Sequence, residues 1–155
     1  MAVPSHELKL QSVAFSHNGS IPRLYTCEGE DINPPLEIGN VPEQAKTLAL
    51  IMEDPDAPHG TFDHWLVWNI FPNEVISELS VPGVSGTNSF GRTGYGGPCP
   101  PAGTHRYYLR AYALDTELTL PFGSDKKSLL RAMEGHILAS GELMGTYTKS
   151  SKLAV

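Results

Sequence analysis

Asp54, His64, His105 and Tyr107 are the side-chain types that hold a small anion: a carboxylate, two imidazoles and a phenol. A neutral imidazole donates one hydrogen bond and an imidazolium two, and a phenol can add another. A carboxylate beside an imidazole fixes its tautomer and raises its basicity. Asp54 opens the run Asp54-Pro55-Asp56-Ala57-Pro58, which its prolines stiffen. Two readings of that run stand together. It is a turn whose Asp side chains bond nearby backbone N–H groups, or it holds Asp54 where it orients a histidine. Pro55 and Pro58 are each a place where a cis bond can occur. His105 and Tyr107 are two residues apart, so on a strand they share a face. Arg106 points the other way and is expected to pair with a carboxylate elsewhere. His6, His17, His59 and His136 lack this context and read as surface or structural.

Other chemistries use the same residues. Asp54, His64 and His105 are metal-ligand types, but their spacing lacks a compact motif. Cys99 stands between Pro98 and Pro100, and no helix start follows it to lower its pKa. It reads as a small buried thiol, and spacing alone cannot say whether it pairs with Cys27. There is no G-x-S-x-G elbow, P-loop or dinucleotide fingerprint. The two function classes are therefore a non-enzymatic binding protein that needs no cofactor, and a metal-dependent or Cys-dependent hydrolase.

These residues sit at the ends of expected strands. Gly and Pro together number 28 and bound short apolar runs, the rhythm of an all-β domain with long loops. Strands are expected over Leu8–Phe15, Thr47–Glu53, His64–Phe71, His105–Leu114 and Ile137–Tyr147. Thr47–Glu53 is apolar on both faces, as a central strand should be. A period of two puts His64, Leu66, Trp68 and Ile70 on one face. It likewise groups His105, Tyr107, Leu109, Ala111 and Ala113. One helix is expected after Ser124 as N-cap, with Leu129, Leu130 and Met133 on one face and a stop at Gly135. Long loops cover Glu28–Pro35 and Val75–Pro101; loops of that length inside a domain are usually functional.

The 155 residues fit a single domain, 1–155, with a real core. The net charge of −6 argues against broad capture of nucleic acid. Lys126 and Lys127, an adjacent basic pair, are expected to face solvent. No apolar run approaches a membrane span, and the start MAVPSHELKL lacks the pattern of a signal peptide. With two cysteines, too few for a disulfide scaffold, the expectation is a cytoplasmic protein with reduced thiols.

Separated motifs together resemble the phosphatidylethanolamine-binding protein family, which includes Raf kinase inhibitor protein, and within it the short bacterial and archaeal type. They are Asp54-Pro-Asp-Ala-Pro58, His64 before an apolar strand, Gly97-Pro98, and His105-Arg106-Tyr107 eight residues after Gly97. Ala132-Met-Glu-Gly-His-Ile-Leu-Ala139 and Glu142-Leu-Met-Gly-Thr-Tyr147 extend the likeness to nearly the whole chain. The resemblance implies a mainly β fold, an antiparallel β-sandwich with Greek-key connections and one or two short helices. It implies a pocket for phosphate-like groups, phospholipid headgroups included, lined by Asp54, His64, Gly97, Pro98, His105 and Tyr107. Gly97 would admit backbone N–H groups to the anion and Pro98 would fix the wall. It also implies a kinase or protease as a protein partner, met through the Val75–Pro101 loop. Mammalian members carry a further C-terminal helix beside the pocket. Lys149–Val155 is too short and polar to replace it, so the pocket is expected to be more open, or closed by a second copy in a homodimer.

Overall fold

A computed structural model describes residues 7–72 and 75–149. His6, most of the N-terminal stretch and nearly all of the Lys149–Val155 tail, all considered in the sequence, lie outside the described residues. The chain forms β1 (Lys9–Gln11), β2 (Gly19–Ser20), β3 (Glu37–Gly39), β4 (Thr47–Asp54), β5 (Phe62–Ile70), β6 (Val84–Ser85), β7 (Thr104–Leu114), α1 (Lys126–Met133) and β8 (Ile137–Thr148). A single 3-10 turn spans Arg23–Tyr25. Six strands make one sheet in the order β2-β8-β7-β4-β5-β6, and β1 and β3 make a second, two-stranded one. Pairing is antiparallel except at β2, which joins β8 in parallel.

β4 is central, as its apolar run requires, and seven of its eight residues are buried. Its two faces serve two cores. Leu48, Leu50 and Met52 pack with Trp65, Val67, Tyr107, Leu109 and the small sheet. Ala49 and Ile51 pack with Leu66, Trp68 and α1 through Leu129 and Met133. Each fully buried side chain of this size adds roughly 1.5–3 kcal/mol of transfer free energy. β7 follows the simple alternation: His105, Tyr107, Leu109, Ala111 and Ala113 are all buried on one face.

β5 does not. Met52 pairs with Trp65 and Glu53 with Asp63, so His64 is an extra residue in the ladder. A second shift lies between the Leu48–Ile70 and Leu50–Val67 pairs, at Asn69, which has φ 57. Each inserted residue reverses the parity of the strand beyond it. Leu66 and Trp68 therefore face α1, whereas His64 and Ile70 turn to the opposite side, correcting the four-residue face expected from the sequence.

Other expectations change in detail. β1 ends at Gln11, where the Ser12 hydroxyl takes the Ala14 N–H. The helix N-cap is Asp125, whose carboxylate accepts from Ser128 N at 2.9 Å; Ser124 instead donates its hydroxyl to the Pro121 carbonyl. Gly135 has φ 81, the left-handed conformation that ends a helix. Lys126 does not reach into solvent. It bridges Glu53 at 3.1 Å and Asp63 at 2.8 Å across the sheet. The 75–101 segment is ordered around β6 and two isolated bridges, Leu36–Ile76 and Thr87–Thr93. Among the described residues no peptide bond is cis, and no helix is long and apolar enough to cross a membrane.

The largest correction concerns the cysteines. Cys27 and Cys99 form a disulfide across a separation of 72 residues, and both are exposed. The expectation of reduced thiols is overturned, and with it the compartment argument built on them. The bond has a local cause. The turn after the 3-10 segment is laced to the 95–99 segment by Tyr95 Oη donating to the Tyr25 carbonyl at 2.6 Å, and by Cys27 N donating to the Pro98 carbonyl at 3.1 Å. These contacts put the two Cα atoms 5.4 Å apart, within bridging range.

Closing so long a loop constrains the unfolded chain. Reduction, or the double change Cys27→Ser with Cys99→Ser, is expected to lower stability by about 2–4 kcal/mol. Thermal unfolding with and without a thiol reductant checks it, and an unchanged Tm in reductant would contradict it.

Candidate functional site

The site forms where the ends of β4 and β5 meet the start of β7. Asp54 is the last residue of β4 and is buried. Its Oδ1 accepts the Asp56 N–H at 2.7 Å, and its Oδ2 lies 2.7 Å from His105 Nδ1. Both readings of the Asp-Pro-Asp run are thus realised in one side chain, a turn-forming carboxylate that also orients an imidazole. Asp56 secures the run from outside. It accepts from Arg106 Nη2 at 2.8 Å, Nε at 2.9 Å and the Arg106 backbone N at 2.9 Å. Arg106 is on the far face of β7, as its parity requires. The guanidinium holds the Asp56 carboxyl down at about 2.

His64 enters the site through the β5 bulge. Its Nδ1 lies 2.7 Å from the Gly96 carbonyl. Its ring meets Phe62, Phe90 and Tyr107 at centroid distances of 5.1, 5.4 and 5.3 Å. Burial pushes its pKa down, against the upward pull of the Gly96 carbonyl. Tyr107 lies beside His105, ring on ring at 6.4 Å. Its hydroxyl is buried and closes no hydrogen bond of good geometry, with the Asp54 carboxylate and the Cys99 backbone N–H as its polar neighbours. Burial first, then the charge and hydrogen-bonding pull of Asp54, pushes the phenol pKa up.

These four residues line a cavity of about 190 Å³ together with Ala57, Pro58, Phe62, Phe90, Cys99, Pro100 and Pro101. Gly97 and Pro98, the other two residues expected at the pocket, are not in its lining. The Gly97 N–H donates to Asp31 Oδ1 at 2.8 Å, so it is not available to a ligand. A Cβ there would collide with the Tyr25 carbonyl, so glycine is required by close packing behind the wall. Pro98 turns its carbonyl to Cys27. Phe62 and Phe90, which the sequence reading did not single out, supply aromatic wall instead. Phe62 is legible from its place just before His64, whereas Phe90 sits in an irregular segment with no periodic signal.

The arrangement bears on the alternatives. Cys99 touches the cavity but is bonded to Cys27, so no thiolate stands there as nucleophile; the expected buried thiol is an exposed disulfide sulfur. Asp54, His64 and His105 do not converge as a metal set, and among the described residues no group of three His, Cys, Asp or Glu could hold an ion. What remains is a small, largely apolar cavity with the hydrogen-bonded Asp54–His105 pair at one side and the Tyr107 phenol beside it.

Comparison with known proteins agrees with this architecture. A family model described as phosphatidylethanolamine-binding protein matches residues 11–148. A UPF0098 protein of Methanothermobacter thermautotrophicus is 47% identical over 150 residues, covering 92% of this chain and 99% of that protein. One from Archaeoglobus fulgidus is 51% identical over 146 residues and 88% of this chain, which spans half that relative's length. Among solved structures, the phosphatidylethanolamine-binding protein homologue CT736 of Chlamydia trachomatis superposes with a TM-score of 0.90. It is 46% identical, covering 94% of this chain and 100% of that one. YbcL of E. coli, described as a member of the mammalian family, gives a TM-score of 0.85 at 26% identity, covering 93% and 99% of the two chains. With its mainly β fold, one α-helix among the described residues and the matched span of 11–148, the chain belongs to the phosphatidylethanolamine-binding protein family.

Proposed function

We propose that the protein binds a small phosphate-like anion in this cavity and releases it unchanged. The observation that carries the reading is the Tyr107 hydroxyl, buried in the cavity wall beside the Asp54–His105 pair and closing no hydrogen bond of good geometry. A buried polar group left unsatisfied costs about 1–3 kcal/mol, and a ligand oxygen satisfies it. Asp54 and His105 stand ready beside it, already aligned at 2.7 Å. Catalysis is not part of the reading. The Tyr107 phenol, its pKa raised by burial, is a poor nucleophile, and Cys99 is engaged in its disulfide. A protein partner, a kinase or a protease, would meet the mouth of the cavity at Phe90, which is 39% exposed on the 75–101 segment.

Titration with phosphate or phosphorylethanolamine is expected to move the His64 and His105 imidazole resonances at millimolar ligand. Resonances that stay in place would count against the site. Tyr107→Phe separates binding from packing. It removes an unsatisfied hydroxyl, so its Tm should match or exceed that of the parent protein. Its affinity for phosphate should fall roughly 3–10-fold, the worth of one hydrogen bond. Unaltered affinity would remove Tyr107 from the site.

A pH dependence arises from Asp56. Its carboxyl is held at about 2 in the folded protein by Arg106, from an ordinary 3.8. A depressed acid stabilises the fold fully above its unfolded pKa, and the contribution disappears as pH falls through the folded one. Stability of the parent protein should therefore drop between about pH 4 and pH 2 more steeply than that of Asp56→Asn. Denaturant midpoints measured across that range check it, and parallel profiles would contradict it.

A further inference from the structure

One wall of the cavity is not fastened by the hydrogen bonds of the fold. Cys99, Pro100 and Pro101 line the cavity as consecutive residues. The chain is pinned on either side of them. Before them, Gly96 exchanges two hydrogen bonds with His64, Gly97 donates to Asp31, and the Pro98 carbonyl accepts from Cys27 N. After them, the Gly103 carbonyl accepts from Lys149 N at 3.1 Å, and β7 begins. In between, Pro100 and Pro101 have no N–H to donate. Among the described residues no backbone–backbone hydrogen bond reaches Cys99, Pro100, Pro101 or Ala102. Pro101, Ala102 and Gly103 are exposed. The disulfide from Cys99 to Cys27 is what anchors this span from the side.

The other end of that bond is firmly seated. Cys27 follows the 3-10 turn, and Thr26 before it is fully buried. The Thr26 N–H and hydroxyl both donate to the Arg23 carbonyl, at 3.0 and 2.9 Å, and the Thr26 carbonyl accepts from Gly29 N at 2.9 Å. The disulfide therefore ties a weakly held wall to a rigid turn. Cys27 is not in the cavity lining, so the tie can be cut there without removing a wall atom.

Both cysteines are exposed, and access of this kind leaves a disulfide open to exchange. One thiolate of a dithiol attacks a cysteine sulfur. A new S–S bond forms, the Cys27–Cys99 bond breaks, and the displaced cysteine leaves as a thiolate that takes up a proton. The second sulfur of the dithiol then displaces the remaining cysteine. The dithiol ends as a disulfide and has given up two electrons and two protons. The wall then has more than one arrangement. Apparent affinity falls in proportion to the fraction of molecules that hold the binding arrangement. The Cys99 N–H, a polar neighbour of the Tyr107 hydroxyl, moves with it.

We propose that the Cys27–Cys99 disulfide is a redox-controlled strap on the cavity: closed, it holds the Cys99–Pro101 wall in place, and opened by a dithiol reductant it releases that wall and weakens binding. The ligand half of this proposal rests on the small-anion reading above, whereas release of the wall does not.

Calorimetric titration with phosphorylethanolamine, on the oxidised protein, on protein reduced with dithiothreitol and on protein reoxidised afterwards, tests the first half. Thiol titration confirms the redox state, and a cooperative thermal transition confirms that the reduced form is folded. Reduction should weaken binding roughly 3–30-fold, the range given by a wall in place in about a third to a thirtieth of the molecules. Reoxidation should restore the affinity. Cys27→Ser, which leaves the lining intact, should bind as the reduced parent does and should not respond to dithiothreitol. Backbone order parameters test the second half without any ligand. At Cys99, Ala102 and Gly103 they should fall on reduction from the rigid value of about 0.85 to below about 0.6, while Thr26 stays rigid. Equal affinity of the oxidised and reduced forms would overturn the strap and leave the small-anion reading standing. So would a disulfide that millimolar dithiothreitol does not open in the folded protein. Unchanged order parameters would overturn release of the wall whether or not the probe binds. An oxidised protein that binds no phosphorylethanolamine would overturn the ligand half, together with the small-anion reading.

Discussion

A carboxylate buried at the end of a central strand must be satisfied on both oxygens, and much of the site depends on how Asp54 achieves this. One oxygen takes the Asp56 N–H and the other meets His105. The first bond bends the chain out of β4, which brings Asp56 to the outer side of β7 and within reach of Arg106. The second fixes the His105 ring against β7. A single side chain thereby joins the loop after β4 to the strand that faces it. Removing either partner would leave charge or polarity in a dry place, which costs far more than the bond returns when made. The arrangement is therefore rigid before any ligand arrives.

The opposite wall depends on a different constraint. His64 can face the cavity only because β5 carries an extra residue there. Without that bulge, alternation from Leu66 and Trp68 would send His64 to the side of α1. The bulge has a cost in ladder hydrogen bonds, which the Gly96 N–H partly offsets by donating to the His64 carbonyl at 2.9 Å, while the ring donates to the Gly96 carbonyl. Gly96 is thus clamped to His64 through both of its backbone polar groups. Gly97 packs behind the wall against Tyr25 and Asp31, and Cys99 is tied to Cys27 by the disulfide. The glycine and proline content of residues 94–103 reflects packing on the 25–31 segment more than contact with a ligand.

How much of this was legible in sequence depends on whether local parity governs a residue. In β7 it does: His105 and Tyr107 share a face and Arg106 opposes them, as the period of two dictates. The centrality of β4, the helix near 126–133 and its stop at Gly135 are set by composition and backbone conformation alone. Parity fails in β5, because a bulge leaves no mark that a run such as Asp63-His64-Trp65 displays by itself. Asn69 at φ 57 is a partial signal, since asparagine tolerates that region better than most residues. The disulfide was illegible because spacing over 72 residues carries no geometry. The family likeness placed Asp54 and His64 near His105 where periodicity could not. It also carried Gly97 into the lining, where the backbone N–H is already engaged by Asp31.

The site's chemistry then turns on which polar atoms the fold has left unspent. Asp54 has used both oxygens, each histidine has used Nδ1, and Asp56 and Arg106 have used one another. Counting residue types, a carboxylate and two imidazoles suggest acid–base catalysis. Counting free atoms, they amount to two Nε2 nitrogens and a phenol in an apolar cup. The hydrogen bonds that hold these side chains in place thus also decide which of their atoms a ligand can meet.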